Sequence, residues 1–312
     1  MSLSFLSCDW GTSQFRLRLV DACTLAVLAE IVTGEGVSSI FQQSTPENRS
    51  QLFSKILARH SASLFVETGC TATLCVISGM ASSSIGWFEL PYAVAPMPLA
   101  SAHFERFTFD LPVAGGTVHV TLVSGIRTED DVMRGEECEL YGLLELHPAL
   151  GSSKACVILP GTHSKHIHLE GRNLEGFVTT MTGELFTHLR ELPTLRGALA
   201  AGGEISEAEF REGVFAAQKF GLLAGLFKIR TRSLIAPHPG LEASSFLSGL
   251  LIGEELISLK STVGATVFLA GSPALHPLYL LAGEQIGQPL EPIPPEVLQQ
   301  SLLHAHRSLL PS

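Results

Sequence analysis

Long hydrophobic runs are missing from this chain of 312 residues. The longest apolar stretches, around Ala155–Leu159 and Val263–Ala270, fall well short of the roughly 20 residues that a helix needs to cross a bilayer. The first ten residues also lack the charged, apolar and small-residue segments of a secretory signal. We therefore expect a soluble, cytoplasmic protein without a membrane partner.

Positive charge is scarce as well. The 20 Lys and Arg residues are outnumbered by 30 Asp and Glu residues, which gives a net charge of −10. Because nucleic-acid-binding domains usually cluster basic residues against the phosphate backbone, this balance argues against nucleic acid as a partner.

Several common site motifs are absent. The sequence has no GxxxxGK[ST] loop and no GxGxxG, so the two commonest nucleotide-binding loops are excluded, and no GxSxG that would indicate a serine hydrolase. The six cysteines show no CxxC spacing, and Cys8 and Cys156 lie within apolar runs. This usage predicts free thiols in a reducing compartment rather than disulfides.

The chain is about twice as long as a typical domain, which predicts two domains, residues 1–147 and 148–312, joined at the linker Pro148–Ser153. Helices and strands are mixed throughout, so the predicted class is α/β. The predicted helices are Glu47–Ala58, Asp131–Leu146, Glu207–Lys228, Ser244–Lys260 and Pro295–Leu303, and the predicted strands are Thr73–Ile77, Val118–Val123 and Thr266–Ala270.

Two segments share one pattern, 150 residues apart. The apolar run Leu3–Cys8 is followed by a turn containing Gly11-Thr12 and then by alternating residues from Phe15, which is typical of a β-hairpin. The run Ala155–Leu159 is followed in the same way by a turn containing Gly161-Thr162. The chain is therefore predicted to consist of two related halves, each beginning with a hairpin.

The first turn combines residue types that suit a phosphate and a metal ion. Asp9 ends a buried strand, Gly11 lets backbone amides approach an anion, and Thr12 and Ser13 add hydroxyl groups. Asp9 is thus a candidate ligand, directly or through water, for Mg²⁺ bound to ATP. The alternative is an ordinary hairpin in which Asp9 and Thr12 bond to the backbone of the turn.

Candidate nucleotide contacts also lie in the second half. Gly161 and Thr162 form the second turn with His163, and Lys165 follows at a position where an ammonium group would neutralise phosphate charge unless it is simply solvated. Gly271-Ser272 follows a predicted strand at a predicted helix start. Adenosine could lie flat against the backbone there, and the alternative is a turn between strand and helix that binds no ligand.

These segments, with several others, resemble the 2-dehydro-3-deoxygalactonokinase family of the actin-like and hexokinase-like superfamily. The resembling segments occur in order over nearly the whole chain: Asp9–Arg16, Ser78–Trp87, Asp131–Glu137, Leu159–Lys165, Phe177–Phe186, Leu247–Gly253 and Gly271–Leu275. The sequence differs from the family pattern at Ser13-Gln14, where Thr-Asn is expected, at His166, where an aromatic residue is expected, and at His276-Pro277.

The resemblance implies a fold and a reaction. The fold would be two ribonuclease-H-like domains of the actin/hexokinase type with an ATP cleft between the domains. The reaction would be transfer of the ATP γ-phosphoryl group, with Mg²⁺, to the 6-hydroxyl of 2-dehydro-3-deoxy-D-galactonate. The oligomeric state is left open, a homodimer included.

A sugar hydroxyl needs a carboxylate to accept its proton during transfer. The acidic stretch Glu129–Glu137 supplies two candidates, Asp131 at the predicted start of a helix, which is the provisional choice, and Glu136 within the helix as its rival. The alternative is helix capping and a solvated acidic face, which suits Glu129, Asp130 and Glu139 best.

The carboxylate and keto group of the substrate call for cationic or amide-rich partners. The candidates are Arg16, Arg134 and the stretch containing Ser82 and Ser83, while Trp87 would cover a sugar face. For each arginine a surface or structural ion pair is the alternative, and for Trp87 packing in an exposed loop. Two other functions remain open, a catalytically inactive sugar-acid sensor and a phosphoanhydride hydrolase of the same superfamily.

Overall fold

The protein is described here from a computed structural model that covers residues 4–100, 103–196, 199, 205–235, 240–261 and 264–311. The helices are α1 (Val37–Gln43), α2 (Arg49–Thr68), α3 (Glu136–Leu146), α4 (Thr182–Leu189), α5 (Glu207–Ile235), α6 (Gly240–Ile257), α7 (His276–Ile286) and α8 (Pro295–Ser308). The strands are β1 (Ser4–Trp10), β2 (Phe15–Asp21), β3 (Val27–Thr33), β4 (Leu74–Gly79), β5 (Ala93–Val94), β6 (Met97–Pro98), β7 (Arg106–Val113), β8 (Gly116–Val123), β9 (Ile126–Arg127), β10 (Val132–Met133), β11 (Lys154–Leu159), β12 (Ser164–Glu170), β13 (Asn173–Thr180), β14 (Thr266–Leu269) and β15 (Glu291–Pro292).

The chain forms two compact units. The first contains Met1–Ala149, Arg172–Leu174 and Glu296–Ser312, and the second contains Leu150–Gly171 and Glu175–Pro295. The division predicted at residue 148 differs from this one because the chain returns twice to the first unit. The second return brings nearly all of α8 with it, and the predicted linker Pro148–Ser153 begins with a short 3₁₀ turn.

The main sheet of the first unit has the strand order β3-β2-β1-β4-β8-β7. Strands β1, β2 and β3 form an antiparallel meander, while β4 is parallel to β1 and β8 is parallel to β4. Strand β2 buries Phe15, Leu17 and Leu19 and directs Arg16 and Arg18 to the opposite face, as the alternating sequence predicts.

The second unit repeats this arrangement in the order β13-β12-β11-β14-β15. Here β11 and β12 are antiparallel, whereas β14 is parallel to β11 and β15 is parallel to β14. Each unit therefore has a first strand flanked by its own hairpin partner on one side and by parallel strands on the other. This is the ribonuclease-H-like arrangement, and the fold class predicted from the sequence is confirmed.

Each unit has its own core. In the first unit, Trp10 packs against Phe15, Phe53 and Trp87 with ring centroids 4.7 to 6.1 Å apart. In the second unit, Cys156 and Ile158 of the first strand pack with residues of α5, α6 and α7. The six cysteines are free thiols. Within the described residues, no helix is long and apolar enough to span a membrane.

Several predicted helix boundaries are corrected by the structure; the helix predicted over Glu47–Ala58, for example, spans Arg49–Thr68. The helix predicted from Asp131 begins instead at Glu136, because β10 comes first and Gly135 has a φ of 112°. The helix predicted to start at Ser272-Pro273 begins at His276 after a turn. The helix predicted over Glu207–Lys228 continues to Ile235 past a kink at Gly221, where φ is 70°.

Candidate active site

The first Gly-Thr turn lies between β1 and β2 and is held by the start of α1. The amide of Gly11 donates to the carbonyl oxygen of Gln14 at 2.9 Å, and the carbonyls of Gly11 and Thr12 accept from the amides of Val37 and Ser38, each at 3.0 Å. The amides of Val37 and Ser38 belong to the N-terminus of α1, where backbone amides have no partner within the helix. The conformation of the turn is therefore fixed by an adjacent element.

Gly36 explains how the helix approaches so closely. A Cβ atom at this position would lie 2.3 Å from the carbonyl carbon of Ser13 and 2.4 Å from the carbonyl oxygen of Thr12. Any side chain here would therefore displace the turn or the helix.

The second Gly-Thr turn lies between β11 and β12 and is held in the same way by α4. The carbonyl of Thr162 accepts from the amide of Glu184 at 3.0 Å, and a Cβ atom on Gly183 would lie 2.5 Å from the carbonyl oxygen of Gly161. His163 Nε2 lies 2.5 Å from Glu184 Oε2. Gly36 and Gly183 each lie three residues beyond the end of the third strand of their unit, which supports the internal repeat.

Asp9 lies beside the first turn and faces a polar cavity of about 400 Å³ in the first unit. Strands β1, β2 and β4, the start of α3 and the helix α8 all contribute to its wall. The lining residues are Asp9, Arg16, Arg18, Ser78, Arg134, Gly135, Glu136, Glu139, Leu298, Gln299, Ser301 and Leu302. Three carboxylates and three guanidinium groups thus share one cavity, which suits a ligand that carries both an anionic group and a metal ion.

Two carboxylates of this cavity, those of Asp9 and Glu139, have raised pKa values. Burial raises the pKa of Asp9, although Arg16 and Arg18 act against this and the charge of Glu136 acts with it. Desolvation raises the pKa of Glu139 to about 8, with the charges of Asp9 and Glu136 adding to the shift. A bound cation would reverse this tendency, because it stabilises the ionised carboxylates.

The structure separates the two candidate bases. Glu136 lines the cavity with Asp9, and its Oε2 accepts from the amide of Arg134 at 3.0 Å. Asp131 precedes β10 and does not line this cavity. Its Oδ1 accepts from the amide of Val132 at 2.7 Å, and its own amide donates to Thr128 Oγ1 at 2.9 Å. The contacts of Asp131 are therefore those of a residue that shapes a turn.

Arg134 and Arg16 line the polar cavity and Ser82 bonds to Arg134, whereas Ser83 bonds to the backbone. Arg134 Nη1 donates to Ser82 Oγ at 2.5 Å, and its guanidinium group lies 4.1 Å from the ring centroid of Tyr92, so the structure brings these two predicted residues together. Arg16 lines the same cavity and lies 3.7 Å from Glu30. Ser83 Oγ donates to the carbonyl of Met80 at 2.7 Å.

Trp87 belongs to the core. Its side chain is 6% exposed, its ring packs against Phe53, Phe88 and Phe109, and its Nε1 donates to Ser50 Oγ at 3.0 Å. Its contacts with Phe53 and Phe109 thus anchor this part of the chain in the core of the first unit. With so little of its surface exposed, the ring offers little area to a sugar, and its contacts are those of core packing.

An apolar pocket of about 250 Å³ adjoins the second Gly-Thr turn. It is lined by Gly161, Thr182, Gly183, Phe186, Ile205, Ser248, Leu251, Ile252, Ala274, Leu275, Leu278 and Tyr279. The predicted adenosine segment contributes Ala274 and Leu275 to this lining, whereas Gly271 and Ser272 lie just before them in the chain. The carbonyl of Ser272 accepts from the amides of Leu275 and His276 at 3.0 and 2.9 Å, which holds this turn closed.

Comparison with known proteins places these features in a family. The family model for 2-keto-3-deoxy-galactonokinase matches residues 9–305. A protein assigned as the 2-dehydro-3-deoxygalactonokinase DgoK1 of Rhizobium meliloti (strain 1021) is 32% identical over 98% of both chains, and the 2-dehydro-3-deoxygalactonokinase of Escherichia coli (strain K12) is 28% identical over 87% of both chains. The chain belongs to the 2-keto-3-deoxy-galactonokinase family.

A crystal structure supports the same grouping. It is that of a protein assigned as a 2-dehydro-3-deoxygalactonokinase from Sinorhizobium meliloti, which is 30% identical to this chain. The superposition has a TM-score of 0.80 and covers 98% of this chain and 99% of that one. The fold derived above from strand order is thus found in a solved structure of a relative.

Sequence reasoning missed several residues that this member of the kinase family places around the cavity. Glu139 was assigned to a solvated face, although it lies three residues after Glu136 and therefore on the same side of α3. Arg18 lies two residues after Arg16 on β2, so the alternation of the strand could have identified it. The contribution of α8 had no local signal, because it depends on the chain returning to the first unit.

The remaining candidates are placed as follows. Lys165 is buried, with 4% of its surface exposed, so it is not a solvated strand residue. Among the described residues, no cluster of three or more His, Cys, Asp or Glu side chains is arranged to hold a metal ion. Mg²⁺ bound to a nucleotide needs only one or two carboxylates, since phosphate oxygens and water complete its coordination, and Asp9 in this polar cavity satisfies that requirement.

Proposed function

We propose that this chain is an ATP-dependent kinase that phosphorylates the 6-hydroxyl of 2-dehydro-3-deoxy-D-galactonate, a step of galactonate catabolism. The observation that carries the proposal is the family match over residues 9–305, which includes both Gly-Thr turns, the polar cavity and the apolar pocket. No comparison favours the sensor or hydrolase alternatives.

The second unit would bind the nucleotide. The apolar pocket suits an adenine ring, and Gly161 at its edge belongs to the predicted phosphate turn. The amide of Gly161 already donates to Ser164 Oγ at 3.3 Å, so contacts to phosphate fall to the amides and hydroxyl of Thr162 and His163. Lys165 stays a predicted source of positive charge near this turn.

The first unit would bind the sugar acid and the metal ion. Arg134, oriented by Ser82, and Arg16 line the cavity and suit the carboxylate of the substrate. Asp9 would hold Mg²⁺, which would neutralise charge on the phosphates, while Thr12 and Ser13 would contact the phosphates from the first turn.

Glu136 is the residue we assign as the base. It would accept the proton of the 6-hydroxyl while the oxygen forms a bond to the γ-phosphorus and the bond from that phosphorus to the bridging oxygen of ADP breaks. The products are the 6-phosphorylated sugar acid, ADP and the proton left on Glu136. Its position beside Asp9 in the cavity supports this role over Asp131.

The proposal is tested by incubating the purified chain with Mg-ATP and 2-dehydro-3-deoxy-D-galactonate. ADP release is measured by a coupled assay, and the products are identified by ³¹P NMR. We expect ADP release to depend on the sugar acid and a phosphomonoester to form in equal amount. Free phosphate would indicate a hydrolase, and the absence of turnover would contradict the proposal. Parallel assays with the gluconate-derived epimer measure selectivity.

A further inference from the structure

A buried carboxylate in the second unit has no role in the function proposed above. Glu255, on α6, is 4% exposed and accepts hydrogen bonds from three other elements. His166 Nε2 on β12 lies 2.9 Å from Oε1, and the hydroxyl of Tyr279 on α7 lies 2.8 Å from Oε2. The hydroxyl of Thr182, at the start of α4, also donates to Oε2. One carboxylate therefore ties together four elements around the second Gly-Thr turn.

The hydrogen bonds continue from Glu255 to the turn itself. Because the Tyr279 hydroxyl donates its one proton to Glu255, its oxygen accepts from Ser164 Oγ, which lies 3.1 Å away. Ser164 Oγ in turn accepts from the amide of Gly161 at 3.3 Å. Each group in this chain of hydrogen bonds donates to the next, from the amide of Gly161 to the carboxylate of Glu255. The hydroxyls of Ser164 and Tyr279 each donate one hydrogen bond and accept one.

The same residues form part of the apolar pocket. Thr182 and Tyr279, which both donate to Glu255, line this pocket together with Gly161. A shift of the carboxylate would therefore move the wall of the pocket and the turn together. Burial and the neighbouring Glu255 charge raise the pKa of Tyr279, so its hydroxyl keeps the proton that the chain of hydrogen bonds requires.

Stability alone is a weak explanation for this carboxylate. Removing a charged group from water is costly, and a buried ion pair is often no more stable than apolar residues of the same volume. His166, which stands where the family resemblance predicts an aromatic residue, contributes a donor to Glu255. The residue that differs from the family pattern, His166, is therefore part of this network and does not line the apolar pocket.

We propose that Glu255 is a positioning residue for the nucleotide, which it serves by fixing the second Gly-Thr turn and the pocket wall through Tyr279, Ser164 and Thr182. The inference rests on the proposed function, because it assumes that the second unit binds ATP. It goes beyond that function by naming a residue that touches neither substrate and yet determines affinity for one of them.

The test uses Tyr279→Phe, which keeps the packed ring and removes the link between Ser164 and Glu255. Tyr141→Phe is the matched control, because Tyr141 is a buried tyrosine of the first unit. We expect Tyr279→Phe to raise the KM for ATP and the Kd for ADP about tenfold, while the KM for the sugar acid changes less than twofold. Ser164→Ala, a smaller change, is expected to act in the same direction.

The outcomes separate the two proposals. If the unmodified chain fails to bind ADP in a calorimetric titration, the proposed function is wrong. If it binds ADP and the KM for ATP in both variants stays within twofold of the control, the positioning role is wrong. A lower melting temperature with unchanged KM values would likewise show a purely structural role. An equal rise in both KM values would also contradict the inference, because the effect would not be specific to the nucleotide.

Discussion

The positions of single side chains favour one of the two carboxylates as the proposed base. Asp131 and Glu136 are five residues apart in one acidic stretch, and their charge alone does not distinguish them. Glu136 shares a cavity with Asp9, whereas the carboxylate of Asp131 accepts from the adjacent backbone amide of Val132. The distinction arises from Gly135, whose φ of 112° turns the chain before α3 begins.

We predict that Glu136→Gln lowers kcat about 100-fold or more, since the loss of a general base typically costs that much. Asp131→Asn is the comparison, because its amide oxygen can still accept from Val132, and we expect a much smaller loss. Both variants are measured by coupled ADP release, and ADP titrations check that nucleotide binding is retained. A larger loss in Asp131→Asn than in Glu136→Gln would reverse the assignment.

Some residues of the site were predictable from local pattern and others were not. Asp9, Arg16 and Arg134 line the cavity as the sequence suggested. Trp87 was misjudged because a tryptophan in a segment rich in Gly and Pro has the same local signal whether it is exposed or buried. Its burial depends on Phe53 and Phe109, which are distant in sequence.

Each Gly-Thr turn is held in place by an adjacent helix, and a glycine near the start of that helix allows the close approach. Gly34 and Gly36 lie in the same loop, but only Gly36 meets backbone atoms of the first turn. A Cβ atom on Gly34 would meet nothing within 4 Å. The two positions therefore form a matched pair for testing whether the conformation of the turn matters to catalysis.

We predict that Gly36→Ala lowers kcat/KM by about tenfold or more, because a displacement near 1 Å at a catalytic site can cost 100-fold. Gly34→Ala should leave kcat/KM within twofold of the unmodified chain. Circular dichroism confirms that both variants are folded. Equal activity of the two variants would mean that the turn tolerates movement and that its contact with α1 has no functional importance.

The fold of the whole molecule was partly predictable because the chain contains a repeat. The two hairpins and the spacing of their Gly-Thr turns indicated two related halves, and five strands of each sheet follow the same order, β3-β2-β1-β4-β8 and β13-β12-β11-β14-β15. The return of α8 to the first unit was not predictable, since an amphipathic terminal helix carries no mark of its partner. Gly142 shows the consequence, because a Cβ atom there would lie 1.7 Å from the carbonyl oxygen of Ser301.

His306 is the polar anchor of α8 in the first unit. It is fully buried, its Nδ1 lies 2.8 Å from Ser7 Oγ on β1, and its Nε2 lies 3.0 Å from Ser78 Oγ on β4. Burial, with a smaller contribution from the charge of Arg18, lowers the pKa of His306 to about 3. The imidazole is therefore neutral in the folded protein near pH 7.

This shift sets the direction of a pH effect on stability. Above a pH of about 6.5, His306 is neutral in both states and its contribution is fully present, whereas between about 6.5 and 3 only the unfolded state binds the proton. The free energy of unfolding should therefore fall by about 1.4 kcal/mol per pH unit on this account as pH decreases. Other groups add their own slopes, so the effect of His306 must be isolated by a variant.

We predict that His306→Gln is less stable than the unmodified chain at pH 7.5 and that its stability falls less steeply between pH 6.5 and 4.5. Urea unfolding followed by tryptophan fluorescence measures this, because both tryptophans, Trp10 and Trp87, lie in the core of the first unit. His188→Gln, at an exposed histidine of the second unit, should keep the slope of the unmodified chain. If His306→Gln also kept that slope, the proton taken up on unfolding would belong to another group.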